Sequence, residues 1–112
     1  MAEQSKRILV VDDETSMREM LGIMLRRDGF EVVEASDGRQ GIELFREGEF
    51  DLVISDIRMP HKTGIELLRE AKLLDADALV IMMTGFSTTE EAVEAMKLGA
   101  YDYITKPFKT DE

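Results

Sequence analysis

Three stretches of this 112-residue chain are almost entirely apolar and do not alternate with polar residues. They cover residues 8–11, 52–55 and 78–83. A strand that is apolar on both sides has to be covered on both sides, as in a parallel sheet that lies between layers of helices. This pattern constrains the fold more than any other feature of the sequence, and it predicts a parallel sheet.

Segments with helical spacing separate these strands. We expect helices around residues 17–25, 42–45, 63–71 and 87–96, and further strands at residues 30–35 and 101–105. In the fourth helix, Ala92, Val93, Ala95 and Met96 are expected to face inward. Alternating strands and helices with short loops favour right-handed crossovers and helices on both faces. The expected fold is α/β, a flavodoxin-like, doubly wound sheet of five parallel strands in the order 2-1-3-4-5.

The charge balance limits what such a domain can bind. The chain has 24 acidic and 14 basic residues and a net charge of −10, and it has no cysteine. A nucleic-acid backbone needs a basic face, so direct binding to nucleic acid is not expected. The apolar runs are too short for a signal peptide or a membrane span, which predicts a cytoplasmic location and no membrane contact. We treat residues 1–112 as one domain.

Polar side chains follow four of the predicted strands at their C-terminal ends. Asp12 and Asp13 follow the first strand, and Asp56 closes the third. Thr84 ends the fourth, and Lys106 follows the fifth. Because the carboxyl ends of parallel strands share one edge of the sheet, we expect these side chains to lie around one site.

Three carboxylates that lie close together repel one another, so we expect a positive charge among them. Oxygen ligands without cysteine favour Mg²⁺, with Mn²⁺ as a substitute, over zinc or copper. We predict Asp13 and Asp56 as direct ligands and Asp12 as a ligand through water. The backbone carbonyl of Arg58 is the third predicted protein oxygen.

The same site suits phosphoryl transfer. A carboxylate can act as a nucleophile and form an aspartyl phosphate. Such transfer depends mostly on positioning and on neutralising the phosphoryl oxygens. We expect the Lys106 ammonium and the Thr84 hydroxyl to bind the oxygens that the cation leaves open.

Four motifs together resemble a known family. They are ILVVDDE at 8–14, DLVISDIRMP at 51–60, MTG at 83–85 and YITKPF at 103–108. The combination is similar to the receiver domain of two-component response regulators and covers nearly the whole chain. The residues of the later motifs resemble those of receivers in nitrogen-regulatory, enhancer-binding activators.

The resemblance implies a signalling switch. Asp56 would accept a phosphoryl group from a phosphohistidine on a sensor histidine kinase, in a Mg²⁺-dependent reaction. Thr84 and Lys106 would bind that phosphate, Tyr103 would swing inward as the aromatic switch, and a cis peptide would join Lys106 to Pro107. The face of the fourth helix and fifth strand would then control an output domain or a homodimer partner. The domain would catalyse only its own phosphorylation and a slow autodephosphorylation.

Two alternatives and one departure stay open at the level of the sequence. A Mg²⁺-dependent hydrolase of the haloacid-dehalogenase type would form an aspartyl phosphate too, but it needs Asp-x-Asp at one strand end, whereas Asp12 and Asp13 are adjacent. A phosphate-independent interaction module is the other alternative.

Receivers usually close with a fifth helix, of which residues 109–112 resemble only the start. We therefore expect either a truncated form of a longer regulator or a chain that dimerises or swaps elements.

Overall fold

The computed structural model of the protein describes residues 6–57, 59, 63–84 and 89–105. Strands and helices alternate along these residues. Their bounds are β1 Arg7–Val11, α1 Thr15–Arg27, β2 Glu31–Ala35, α2 Gly38–Glu47, β3 Leu52–Asp56, α3 Gly64–Leu74, β4 Val80–Thr84, α4 Thr89–Lys97 and β5 Asp102–Thr105. The predicted alternation of strands and helices is confirmed.

All five strands are parallel and lie in the order β2-β1-β3-β4-β5, as the sequence predicts. The chain moves outward from β1 to β2 on one side and through β3, β4 and β5 on the other. The carboxyl ends of β1 and β3 therefore border the crevice where an open α/β sheet binds ligands. In this register Val11 lies opposite Ser55, so the residues that follow them, Asp12 and Asp56, emerge side by side.

Apolar side chains cover both faces of the sheet, which explains why the strands do not alternate. One face packs against α2, α3 and α4, and its buried cluster includes Leu9, Val11, Val53, Val80, Met82, Phe45, Leu67, Leu68 and Ala95. The other face packs against α1 through Ile8, Val10, Ile54, Met83 and Leu21. Among the described helices, α1 alone covers this second face. None of the described helices combines the length and apolar character needed to cross a bilayer.

Local signals set several helix ends. Asp37 caps α2 by accepting a hydrogen bond from the Gln40 amide at 2.8 Å. Thr63 and Glu66 form a capping box at the start of α3, where each side chain accepts from the other residue's amide. Gly29, with φ 97°, follows the C-terminal end of α1 in the left-handed conformation that glycine adopts without cost. These caps fix where the loops at the sheet edges begin.

The expectation for the inward face of α4 is wrong for two of its residues. Val93 is 45% and Met96 48% exposed, whereas Ala95 is fully buried. Successive helical residues are about 100° apart, so with Ala95 at the centre of the packed side, Met96 turns to the flank and Val93 turns away. The buried side continues to Leu98, which packs against the same cluster. The side chain of Ala92 lies outside the described part of the structure.

Candidate functional site

Three carboxylates meet at the carboxyl edge of the sheet. Asp12 and Asp13 lie in the loop between β1 and α1, and Asp56 is the last residue of β3. One oxygen of each lies within 4.8 Å of the others. Asp12 is fully buried and Asp56 is 7% exposed, whereas Asp13 is open to solvent. The structure thus brings together the three acids that the strand ends predict.

Hydrogen bonds hold the backbone and side chain of Asp12. Its amide donates to the Ala35 carbonyl of β2 at 3.1 Å. Its Oδ1 accepts from the Glu14 amide at 2.9 Å, which closes a turn in the loop. Its carbonyl oxygen accepts from Nη1 of Arg18 at 2.7 Å. Asp12 is therefore fixed from the edge strand and from α1.

The end of β3 is packed tightly against the start of α3. The Gly64 amide donates to the Ile57 carbonyl at 2.8 Å, and the Ser55 hydroxyl donates to the Asp56 carbonyl at 2.9 Å. A Cβ atom on Gly64 would lie 2.1 Å from the carbonyl oxygen of Asp56, which is far closer than van der Waals contact. Only glycine fits at this position, so Gly64 sets how closely α3 approaches the backbone that carries Asp56.

The donor set fits a hard divalent cation. All three side chains offer carboxylate oxygens, which are the ligands that Mg²⁺, Ca²⁺ and Mn²⁺ prefer. Two of the three are buried, so their repulsion is only weakly screened by solvent. A bound cation would remove that repulsion, and the exposed Asp13 side gives it a path from solvent.

The other predicted site residues are described only in part. Thr84 is the last residue of β4, and its neighbour Met83 pairs with Asp56, so the Thr84 backbone lies at the same edge as the acids. The Thr84 side chain, and residues Arg58, Lys106 and Pro107, lie outside the described residues.

Tyr103 lies on β5, opposite Met82, and packs against the larger buried cluster. Its hydroxyl is buried and has no hydrogen-bond partner among the described residues. A buried hydroxyl without a partner costs free energy. Within the described part of the chain, the position of this ring is therefore set by apolar packing, and its hydroxyl gains no hydrogen bond there.

Sequence reasoning missed two residues that shape the site, Arg18 and Gly64. Arg18 stands on α1 as an ordinary helical arginine, and only its place one turn after the acidic loop hints at its contact. Gly64 is the first residue of α3, inside the capping box. A glycine where a helix former is expected is the signal of a close backbone approach.

Comparisons with known proteins agree with this geometry. The family of the response regulator receiver domain matches residues 8–112. The chain is 44% identical over 106 residues to the chemotaxis protein CheY of Bacillus subtilis, covering 94% of this chain and 88% of CheY. It is also 44% identical over 106 residues to the regulatory protein AtoC of Escherichia coli, covering 95% of this chain and 23% of AtoC. The chain thus spans about a quarter of the length of AtoC and of the regulator ZraR.

A solved structure shows the same fold. The response regulator TrrA of Thermotoga maritima, in complex with Mg²⁺ and BeF, superposes with a TM-score of 0.85 at 38% identity, covering 95% of this chain and 90% of that one. The family match spans nearly the whole sequence, and strand order and clustered acids agree with it. The chain therefore belongs to the receiver domains of response regulators, the phosphorylation-activated switches of two-component signalling.

Proposed function

We propose that Asp56 is the residue that takes up the phosphoryl group, from a phosphohistidine on a sensor histidine kinase. The observation that carries this proposal is the cluster of three acids at the carboxyl edge of the sheet, in which Asp56 ends β3 and is buried. In the transfer, a carboxylate oxygen of Asp56 forms a bond to phosphorus while the phosphorus–nitrogen bond to the imidazole breaks. The electron pair of that bond stays on the departing imidazole.

Asp13 and Asp56 are the proposed direct ligands of Mg²⁺ or Mn²⁺. Asp12 binds the cation through water, and the backbone carbonyl of Arg58 supplies a further oxygen. When bound, the cation neutralises charge on the carboxylates and on the phosphoryl oxygens. The all-carboxylate cluster and the burial of Asp12 support this assignment.

Thr84 and Lys106 are proposed to bind the remaining phosphoryl oxygens. The position of the Thr84 backbone beside the end of β3 supports the first, and the position of Lys106 directly after β5 supports the second. A cis peptide between Lys106 and Pro107 stays a prediction. The domain's chemistry in this scheme is limited to its own phosphorylation and a slow autodephosphorylation.

The α4 and β5 region is proposed to transmit the signal, with Thr84 and Tyr103 as the switch. The Tyr103 hydroxyl is buried without a partner among the residues that the structure describes, which supports a ring that can exchange between two environments. The exposed apolar side chains of Val93 and Met96 support contact with an output domain or a homodimer partner. Likeness to AtoC supports an output domain of the enhancer-binding activator type in a cytoplasmic regulator.

Phosphorylation by acetyl phosphate tests the assignment of Asp56. With Mg²⁺ present, intact-protein mass spectrometry should show one phosphoryl group per chain, and Asp56→Asn should not be labelled. Asp51→Asn is the matched control, because Asp51 directly precedes the N-terminal end of β3, whereas Asp56 is at its C-terminal end. An Asp56→Asn variant labelled as fast as the parent would refute the assignment, and many turnovers of phosphate esters would favour the hydrolase instead.

A further inference from the structure

Arg18 connects the acidic loop, the loop between β1 and α1 that carries Asp12 and Asp13, to the edge strand β2. Its side chain is only 15% exposed, which is low for an arginine on a helix. Nη1 donates to the backbone carbonyl of Asp12 at 2.7 Å, and Nε lies 3.4 Å from Oε1 of Glu34 on β2. One guanidinium therefore holds the loop after β1 and is itself held by the neighbouring strand.

Glu34, the ion-pair partner of Arg18, is itself held in place by its neighbours. Glu34 is 22% exposed, and its second oxygen lies 3.2 Å from Nη2 of Arg26. A Cβ atom on Gly22 would lie 2.7 Å from Oε2 of Glu34, so the glycine opens the space that the carboxylate occupies. The carboxylate is thus fixed between two guanidinium groups, and it fixes the plane of Arg18 in turn.

We propose that Arg18 is a positioning residue for the cation site. By holding the Asp12 carbonyl it fixes the backbone of the loop, so that the Asp12 and Asp13 carboxylates are preorganised toward Asp56. This inference rests on the proposed function, in which these acids hold Mg²⁺. Contacts that orient metal ligands commonly change metal affinity by about 10- to 100-fold when they are removed. A hydrogen bond from a charged donor is of the strong kind that can do this.

Arg26 provides a matched control for Arg18. It pairs with the same carboxylate, but its hydrogen bond goes to the Val32 carbonyl of β2 at 3.1 Å, away from the acidic loop. Arg18→Ala and Arg26→Ala each remove one ion pair with Glu34. Only the first removes a bond to Asp12.

The experiment titrates Mg²⁺ into each variant and follows amide chemical shifts. Arg18→Ala should raise the dissociation constant roughly tenfold, and Arg26→Ala should stay close to the parent. Arg18→Lys should fall between them, because one ammonium can reach the carbonyl but lacks the second, fixed contact with Glu34. With acetyl phosphate, Arg18→Ala should regain most of the parent rate once Mg²⁺ is saturating, since the nucleophile itself is unchanged.

A merely structural role would lower the urea-unfolding midpoint of both alanine variants and leave both Mg²⁺ affinities unchanged. That result would overturn the proposal, as would equal losses of affinity in the two variants. Should Arg18→Ala not fold, Arg18→Lys and Glu34→Gln take its place, and parental affinity in both would count against the role. A parent protein that binds no Mg²⁺ would instead refute the proposed function.

Discussion

Acidic side chains have opposite surroundings at the two edges of the sheet. At the amino edge, Asp51 accepts a hydrogen bond from the Arg7 amide at 2.8 Å, and the Arg7 guanidinium lies 3.2 Å from Glu31. The same guanidinium donates to the Glu49 carbonyl and lies 4.6 Å from the centre of the Phe50 ring. These contacts are exposed, and they join opposite charges or a charge and a dipole.

At the carboxyl edge, Asp12, Asp13 and Asp56 lie together, and two of them are buried. The nearby cation Arg18 contacts the Asp12 backbone rather than a carboxylate of the cluster. The amino edge therefore uses its acids to stabilise the fold, whereas the carboxyl edge brings three like charges to within reach of one cation. Such a local conflict is typical of a functional site.

Replacing a glycine at each edge should change stability more than any other substitution proposed for the two edges. Gly64→Ala places a Cβ atom against backbone at 2.1 Å, which cannot move without shifting β3 or α3. Gly48→Ala, at the amino edge, meets the side chains of Phe50 at 3.2 Å and Arg7 at 3.3 Å, which can rotate. We expect the free energy of unfolding, measured with urea, to fall by about 3 kcal/mol for Gly64→Ala and by less than about 1 kcal/mol for Gly48→Ala.

Phosphorylation of Gly64→Ala should also slow, because the displaced backbone carries Asp56, while Gly48→Ala should be labelled like the parent. Equal losses of stability in the two variants would mean that the close approach at the carboxyl edge has no special role.

Neutralising one acid at each edge should change stability less, and in opposite directions at the two edges. Without divalent cations, Asp13→Asn should raise the free energy of unfolding by about 1 kcal/mol, since it relieves repulsion between charges a few ångströms apart. Asp51→Asn should lower it by up to about 1 kcal/mol, because the Arg7 amide loses a charged acceptor.

Added Mg²⁺ supplies the second half of this test. A cation at about ten times its dissociation constant should stabilise the parent and Asp51→Asn by roughly 1.4 kcal/mol, and Asp13→Asn by much less. Urea unfolding with and without MgCl₂ measures both halves. A gain from Mg²⁺ in Asp13→Asn as large as in the parent would remove Asp13 from the cation site.

The sequence predicts the strand order and the meeting of the three acids because both follow from burial. A run such as Leu52 to Ser55 is apolar on both sides, so it belongs inside a parallel sheet. Once the strands are parallel, Asp12 and Asp56 have to emerge at one edge. These conclusions need only the pattern of neighbours along the chain.

Contacts that depend on tertiary geometry are not visible in that pattern. Arg18 looks like a solvated helical charge until β2 places Glu34 beside α1. The helix α4 has apolar residues at four of five consecutive positions, 92–96, so its spacing does not tell which side packs, and Val93 and Met96 are exposed. The glycine at position 64 signals a close backbone approach, but which strand it approaches, and how closely, follows only from tertiary packing.

Removing Arg7 tests the independence of the two edges with the smallest effect. Arg7→Ala loses the contact with Glu31, the hydrogen bond to the Glu49 carbonyl and the packing on Phe50. These contacts are exposed or partly exposed, so the free energy of unfolding should fall by no more than about 1 kcal/mol. The part due to Glu31 should shrink at high salt, because exposed pairs are screened. Mg²⁺ affinity and the rate of labelling by acetyl phosphate should equal those of the parent, as Arg7 begins β1 and the acids follow its end. A change in either would mean that β1 transmits the state of the amino edge to the site, and that the two edges are coupled rather than separate.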